Sequence, residues 1–171
     1  EIARILSDYG DERFALKIAR RVVSTRDKQP ITRTSQLADL VKETIPAATR
    51  RTGGNPAKRT FQALRIAVND ELSVLERAMP RAVAALAVGG RIVVESYQSL
   101  EDKIVNRERA KGARSTTPAG LHVELPWHEP YLRLLTRGAH KASTAEAAVN
   151  PRSASVRLRA AERLRNEGSQ S

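Results

Sequence analysis

Residues 56–69, Pro-Ala-Lys-Arg-Thr-Phe-Gln-Ala-Leu-Arg-Ile-Ala-Val-Asn, constrain the fold of this chain more than any other stretch. Lys58, Gln62, Arg65 and Asn69 are spaced four, three and four apart, so a helix places them on one face. Phe61, Leu64, Val68, Leu72, Leu75 and Met79 form an apolar stripe beside that row. The spacing predicts one long helix from about residue 58 to 79. Ile66 and Val74 lie off the stripe, which implies that a second side of the helix is covered too. The polar row then faces a cleft, a neighbour, or solvent with one or two ion pairs.

The partner of such a chain is set by charge. Thirty Lys and Arg against 19 Asp and Glu give a net charge of +11 and a pI near 10.8. An anionic partner follows, with RNA first and a membrane surface second. Aromatic residues make up only 4 %, too few for a single-strand binder built on stacking platforms. The absence of cysteine excludes disulfides, thiol nucleophiles and cysteine-ligated zinc. His122, His128 and His140 have no metal-ligand spacing, so no metal site is expected. No apolar run reaches the ~18 residues of a spanning helix. No signal peptide is visible, and a cytoplasmic setting is expected.

Along the chain, Ile2, Ile5, Leu6 and Tyr9 read as a short helix ended by Gly10. Asp11 is expected to cap the next helix, whose inner face is Phe14, Ile18 and Val22. Thr34 or Ser35 opens a third helix with Leu37, Leu40, Val41 and Ile45 inside, stopped by Pro46. Residues 47–57 read as a basic loop, and Pro80 as a break or the first turn of another helix. Gly89-Gly90 starts a strand, Arg91 to Ser96, in which consecutive Ile92, Val93 and Val94 imply burial on both faces, as in a parallel sheet. Leu100 to Arg107 reads as a helix and residues 108–130 as a long loop, with Trp127 covering the core edge. Tyr131 to Thr136 reads as a strand. Ser155 to Ala160 alternates apolar and basic, which predicts a half-exposed strand. The tail from Asn166 is expected to fray.

Three ordered motifs carry a resemblance. They are Pro56 to Asn69; Gly89-Gly90-Arg91 followed by Ser96-Tyr97-Gln98-Ser99-Leu100-Glu101-Asp102-Lys103; and Asn150-Pro151-Arg152-Ser153. With Tyr9 to Phe14 and Ile18-Ala19-Arg20, they make the chain resemble the bacterial 16S rRNA cytosine-N(4) methyltransferase family of MraW type along nearly its whole length. Asn55 stands where the family usually has His, Tyr97-Gln98 where it has Phe-His, and Lys103 where it has Arg.

The resemblance implies an α/β fold: the C-terminal part of a class I (Rossmann-like) methyltransferase dependent on S-adenosylmethionine, with an α-helical inserted domain. Residues 1–57 would be the substrate-side helical insertion, incomplete, and residues 58–171 the C-terminal half of the methyltransferase domain with its last three strands. The chain starts at Glu1 rather than Met, and no glycine-rich loop follows a strand. The cofactor is therefore expected to be bound mainly by a missing N-terminal part, with no cofactor-binding residue here and no activity in this piece alone. The implied partner is 16S rRNA in the small ribosomal subunit, with no membrane.

Transfer of a methyl group to an exocyclic amine needs alignment and hydrogen-bond acceptors more than acid–base groups. Ser96, Tyr97, Ser99, Glu101 and Asp102 follow the carboxyl end of a strand, where ligands bind in open α/β sheets. They are the candidates for lining the site. Ser99, Glu101 and Asp102 equally suit the first turn of the following helix. Lys58, Arg59, Gln62, Arg65 and Asn69 are the candidate RNA-binding residues. Basic residues also gather at 103–114 and from Arg133 to Arg165. The alternative reading is a non-catalytic basic module that binds RNA or the ribosome. A basic structural protein without RNA is a third. An upstream strand followed by a glycine-rich loop and an acidic residue separates the first from the second.

Overall fold

The computed structural model describes residues 1–47, 55–118, 120 and 125–166. It forms two compact units, residues 1–71 and 72–171. The division falls beyond the boundary at 57 expected from the sequence, and places the 58–69 segment in the first unit.

The first unit is helical. Helix α1 (Ile2–Gly10), α2 (Ala15–Arg26), α3 (Thr34–Thr44) and α4 (Lys58–Asn69) surround a core of Leu6, Ala15, Ile18, Val41, Ile45, Ala57 and Ala63. Gly10 is where α1 meets α4. A Cβ there would lie 2.7 Å from the Arg59 carbonyl oxygen, so only glycine permits the approach. The left-handed residue that ends α1 is Asp11 (φ 47°). Asp11 therefore does not cap α2 as expected. The neighbouring Glu12 takes that part, accepting a hydrogen bond from the Phe14 amide at 3.0 Å. Helix α3 opens at Thr34, and Gln36 in its first turn caps it, its Oε1 accepting from the amides of Thr32 and Arg33.

The long helix expected over 58–79 is two helices. Helix α4 stops at Asp70, again left-handed (φ 52°), and α5 (Glu71–Ala84) begins anew. The apolar stripe is divided by that stop. Thr60, Ala63 and Ile66 are the buried face of α4, while Val68 is 82 % exposed. Leu72, Leu75 and Met79 pack in the second unit with Ile92, Val94, Ile104 and Val105. Pro80 does not break α5, which continues to Ala84.

The second unit adds β1 (Arg91–Ser96), α6 (Ser99–Gly112), β2 (Leu132–Leu134), α7 (Thr144–Val149) and β3 (Arg157–Arg163). The sheet order is β1-β3-β2, and β3 runs antiparallel to both neighbours. Strand β1 is thus not buried on both faces as the sequence predicted: its burial alternates, and Val93 is 58 % exposed. Strand β3 is central: residues 157–159 are partly exposed, as the alternation predicted, but the strand runs on to Arg163 and residues 160–163 are buried. On the outer face Glu162 stands between its register partners Arg91 and Arg133, bonded to them at 3.3 and 2.8 Å. The hydrogen bond from Arg133, then that from Arg91, holds the Glu162 carboxyl below its usual value.

Residues 108–112 belong to α6 rather than to the expected loop, and Pro126–His128 forms a 3-10 turn. His128 anchors that turn to Thr116 through its carbonyl (2.9 Å) and its Nδ1 (2.8 Å). Trp127 remains 44 % exposed instead of covering the core edge. Arg165 is tied down, donating to the carbonyls of Glu129 and Pro130. The expected fraying beyond Asn166 lies outside the described residues, as does most of the 47–57 loop.

Candidate functional site

The turn from β1 into α6 carries all five candidate site residues. Glu101 sits three residues into α6 and folds back over the turn. Its Oε2 accepts from the amides of Tyr97 (2.9 Å) and Gln98 (3.2 Å), and its Oε1 from Gln98 Nε2 (3.1 Å). This reciprocal cap satisfies amides that the first turn of a helix leaves without partners. Glu101 is thereby committed to holding the backbone at Tyr97. Ser99 occupies the first helical position, with Gln98 as the cap residue.

Asp102 is buried at the base of the turn. Its Oδ1 accepts from Arg159 Nε at 2.5 Å; its Oδ2 accepts from Arg159 Nη2 at 3.0 Å and Arg157 Nη1 at 3.4 Å. The hydrogen bond from Arg159 outweighs desolvation and holds the carboxyl below its ordinary value. The same bond raises Arg159. This is a two-pronged charge-assisted pair, with both side chains close to one-tenth exposed. Ser96 is 2 % exposed, and its Oγ has no hydrogen-bond partner among the described residues. Tyr97 (56 % exposed) and Ser99 face solvent. The structure thus brings the five together but divides them. Two are open to a ligand, two are engaged by the protein, and one hydroxyl is enclosed.

The residues that sequence reasoning missed here are Arg157, Arg159 and Arg109. Arg109 is 4 % exposed and donates to Thr136 O (2.5 Å), Thr136 Oγ1 (2.8 Å) and Asn106 Oδ1 (3.1 Å). Desolvation lowers its pKa. A signal existed: Asp102, Val105, Arg109 and Gly112 are spaced three, four and three apart, and all four are buried on α6. Charges on the same helical face as a buried valine require partners.

The row on α4 is present as one face, but much of it is occupied within the first unit. Arg59 Nη1 donates to Asp11 O at 3.0 Å, and Gln62 Nε2 to Tyr9 O at 3.5 Å. Arg65 pairs with Glu71 at 2.9 Å, and Asn69 donates to the same carboxylate at 3.2 Å. Lys58 is exposed, and its side chain pairs with none of the described residues. No described His, Asp or Glu cluster could hold a metal ion, and no described helix is long and apolar enough to cross a membrane.

The MraW methylase family model matches residues 1–164. A protein of Saccharopolyspora erythraea, ribosomal RNA small subunit methyltransferase H, is 60 % identical over 165 residues, covering 96 % of this chain and 50 % of that protein. Proteins of the same name from Acidothermus cellulolyticus and Mycolicibacterium paratuberculosis are each 61 % identical, over 97 % and 95 % of this chain and 50 % and 42 % of theirs. The chain spans about half the length of the curated relatives it matches.

Proposed function

This chain belongs to the MraW methylase family, and on that premise we propose that it is part of an enzyme that methylates the N(4) amine of a cytidine in 16S rRNA. The observation that carries the reading is 60 % identity to a small-subunit rRNA methyltransferase across 96 % of the chain. The sheet supports a class I (Rossmann-like) reading: β1 and β2 are both antiparallel to β3, hence parallel to each other, as at the closing edge of a doubly wound sheet. In that reading the first unit belongs to the inserted substrate-side domain. The small subunit is the partner, and the enzyme works in the cytoplasm.

The family implies S-adenosylmethionine as methyl donor, and the described residues do not offer it a cradle. Gly89 and Gly90 lead into β1, and their backbones are bound to Arg163: Gly89 N–H donates to Arg163 O at 2.7 Å, and Arg163 N–H to Gly90 O at 2.8 Å. A phosphate- or nucleoside-binding loop instead follows a strand and presents free amides to the ligand. In this reading the cofactor is held mainly by protein outside this chain.

This chain's share is the substrate side. The Tyr97 ring, exposed at the strand end, offers a face for a base to stack on. The Ser99 hydroxyl is an acceptor for an exocyclic amine hydrogen. Glu101 and Asp102 act as positioning residues: one fixes the Tyr97 amide, the other anchors α6 to β3. Alignment of the amine is the contribution such groups make.

The test is methyl transfer by the full-length protein from tritiated S-adenosylmethionine to isolated small subunits, with nucleosides identified by mass spectrometry. N(4)-methylcytidine in wild type, with turnover reduced in Tyr97→Ala, supports the reading. RNA binding with no methylated cytidine leaves the non-catalytic module in its place.

A further inference from the structure

The cations best placed to meet RNA are not on α4. Helix α2, Ala-Leu-Lys-Ile-Ala-Arg-Arg-Val-Val-Ser-Thr-Arg, holds Lys17, Arg20, Arg21 and Arg26 and no acidic residue. Its buried side is Ala15, Ile18 and Ala19. Opposite them, Arg13, Lys17, Arg20, Ser24 and Lys28 follow one another at intervals of four, three, four and four, and all are exposed. No hydrogen bond or ion pair with a described residue engages the side chains of Arg13, Lys17, Arg20 or Lys28. The acids near this face sit at its margins. Glu43 of α3 reaches Arg21 at 4.0 Å on one flank, Glu1 borders the groove beside Arg20 and Ser24 on the other, Asp27 lies at the C-terminal end, and Glu12 is turned inward to the Phe14 amide.

We infer that this face of α2 is a docking surface for the phosphate backbone of RNA. Like charges one turn apart destabilise a helix, and a cation in the first turn opposes the helix dipole. Lys17 and Arg20 stand one turn apart and Lys17 lies in the first turn, penalties that a phosphate row would offset. A regular line of cations one turn apart contacts successive phosphates and reads no bases. A lipid surface fits less well. The apolar side of α2 is consumed by the core of the first unit, leaving Leu16 as the exposed large hydrophobic of this helix. An interfacial helix needs a whole apolar face to insert.

The inference rests on the reading that RNA is the partner. Fluorescence anisotropy of the full-length protein with a fluorescein-labelled RNA hairpin across a salt series tests it. Lys17→Gln with Arg20→Gln is compared with a charge-matched control, Lys42→Gln with Lys141→Gln. The expected result is that the α2 pair flattens the slope of log affinity against log salt by about two, close to one for each phosphate no longer neutralised. The control should change it by a small fraction of that. Far-ultraviolet melts check that both variants fold. Equal flattening in the two variants overturns the inference, because only net charge would matter. Loss of binding to phosphatidylserine vesicles without loss of RNA affinity overturns it in favour of a membrane. Should methyl transfer to small subunits persist unchanged in the α2 pair, the enzyme reading stands and this surface alone is wrong.

Discussion

Arg159 holds Asp102 through two parallel hydrogen bonds, 2.5 and 3.0 Å long, that join strand β3 to helix α6 beneath the β1–α6 turn. Both side chains are largely shielded from water. Removing one partner leaves a buried charge alone.

Asp102→Asn is therefore expected to cost about 3–5 kcal/mol of stability in the second unit. Asp102→Leu combined with Arg159→Met should recover most of that loss, since an apolar pair of similar volume avoids desolvation. Urea titration followed through Trp127, the sole tryptophan and part of this unit, measures both. Additive losses in the double variant would mean that the two residues do not act as a pair.

The same pair sets a pH response. The folded Asp102 carboxyl titrates below its ordinary value of 3.8, chiefly because Arg159 donates to it. Its contribution is complete above that value and is lost as pH falls through the lower folded value. The stability gap between wild type and Asp102→Asn should be constant above about pH 5 and narrow towards pH 2. A gap independent of pH over that range would sink the assignment.

Gly112 ends α6 against β2. A Cβ there would lie 2.6 Å from Leu132 Cδ1 and 2.8 Å from Tyr131 Cε2, so Gly112→Ala should destabilise by about 1–3 kcal/mol through overpacking. Leu132→Ala alone creates a cavity; combined with Gly112→Ala it should cost less than the two changes summed. Strict additivity, read by the same titration, would show that the side chains do not compete for one space.

Arg165, although close to the end of the chain, should matter more to stability than Arg65. Arg65 pairs with Glu71 but is 59 % exposed, so Arg65→Ala should cost under about 1 kcal/mol. Arg165 donates to the carbonyls of Pro130 and Glu129, and its loss leaves both acceptors to water and frees the segment after β3. Thermal melts of the two variants decide the order; a larger loss in Arg65→Ala reverses it.

The three N-terminal helices were legible because their signals are local: apolar residues every three or four positions, with Pro46 as a stop, although it is Asp11 and not Gly10 that turns left-handed at the end of α1. The stop at Asp70 was less so. Asn69-Asp70 tolerates the left-handed turn, but apolar spacing runs straight through it from Leu64 to Met79. Strand β1 had the expected ends but not the expected burial or strand direction. Three consecutive β-branched residues look the same in a parallel or an antiparallel sheet, and the pairing of Arg91 with Glu162 joins residues far apart in sequence. The arginines of β3 hid its burial, because Arg159 and Arg163 are enclosed only by virtue of their acceptors. Arg163 donates to the carbonyls of Val83, Ala84 and Leu86 around the end of α5, which no spacing rule reveals.

S-adenosylmethionine should not bind residues 1–171 appreciably, because the glycines beside β1 are bound into the sheet rather than free to face a ligand. Isothermal titration with sub-millimolar ligand checks this. Saturable micromolar binding would place the cofactor site within this chain.

The sheet order β1-β3-β2 also has a consequence in time. The strand that fills the centre is made of residues 157–163, the last of the three to be synthesised. Until it leaves the ribosome, β1 and β2 have nothing between them to pair with. The first unit has no such dependence, so it can close while the second is still being translated. During biosynthesis the backbone edges that β1 and β2 later present to β3 wait unpaired, and a chaperone has that interval in which to act.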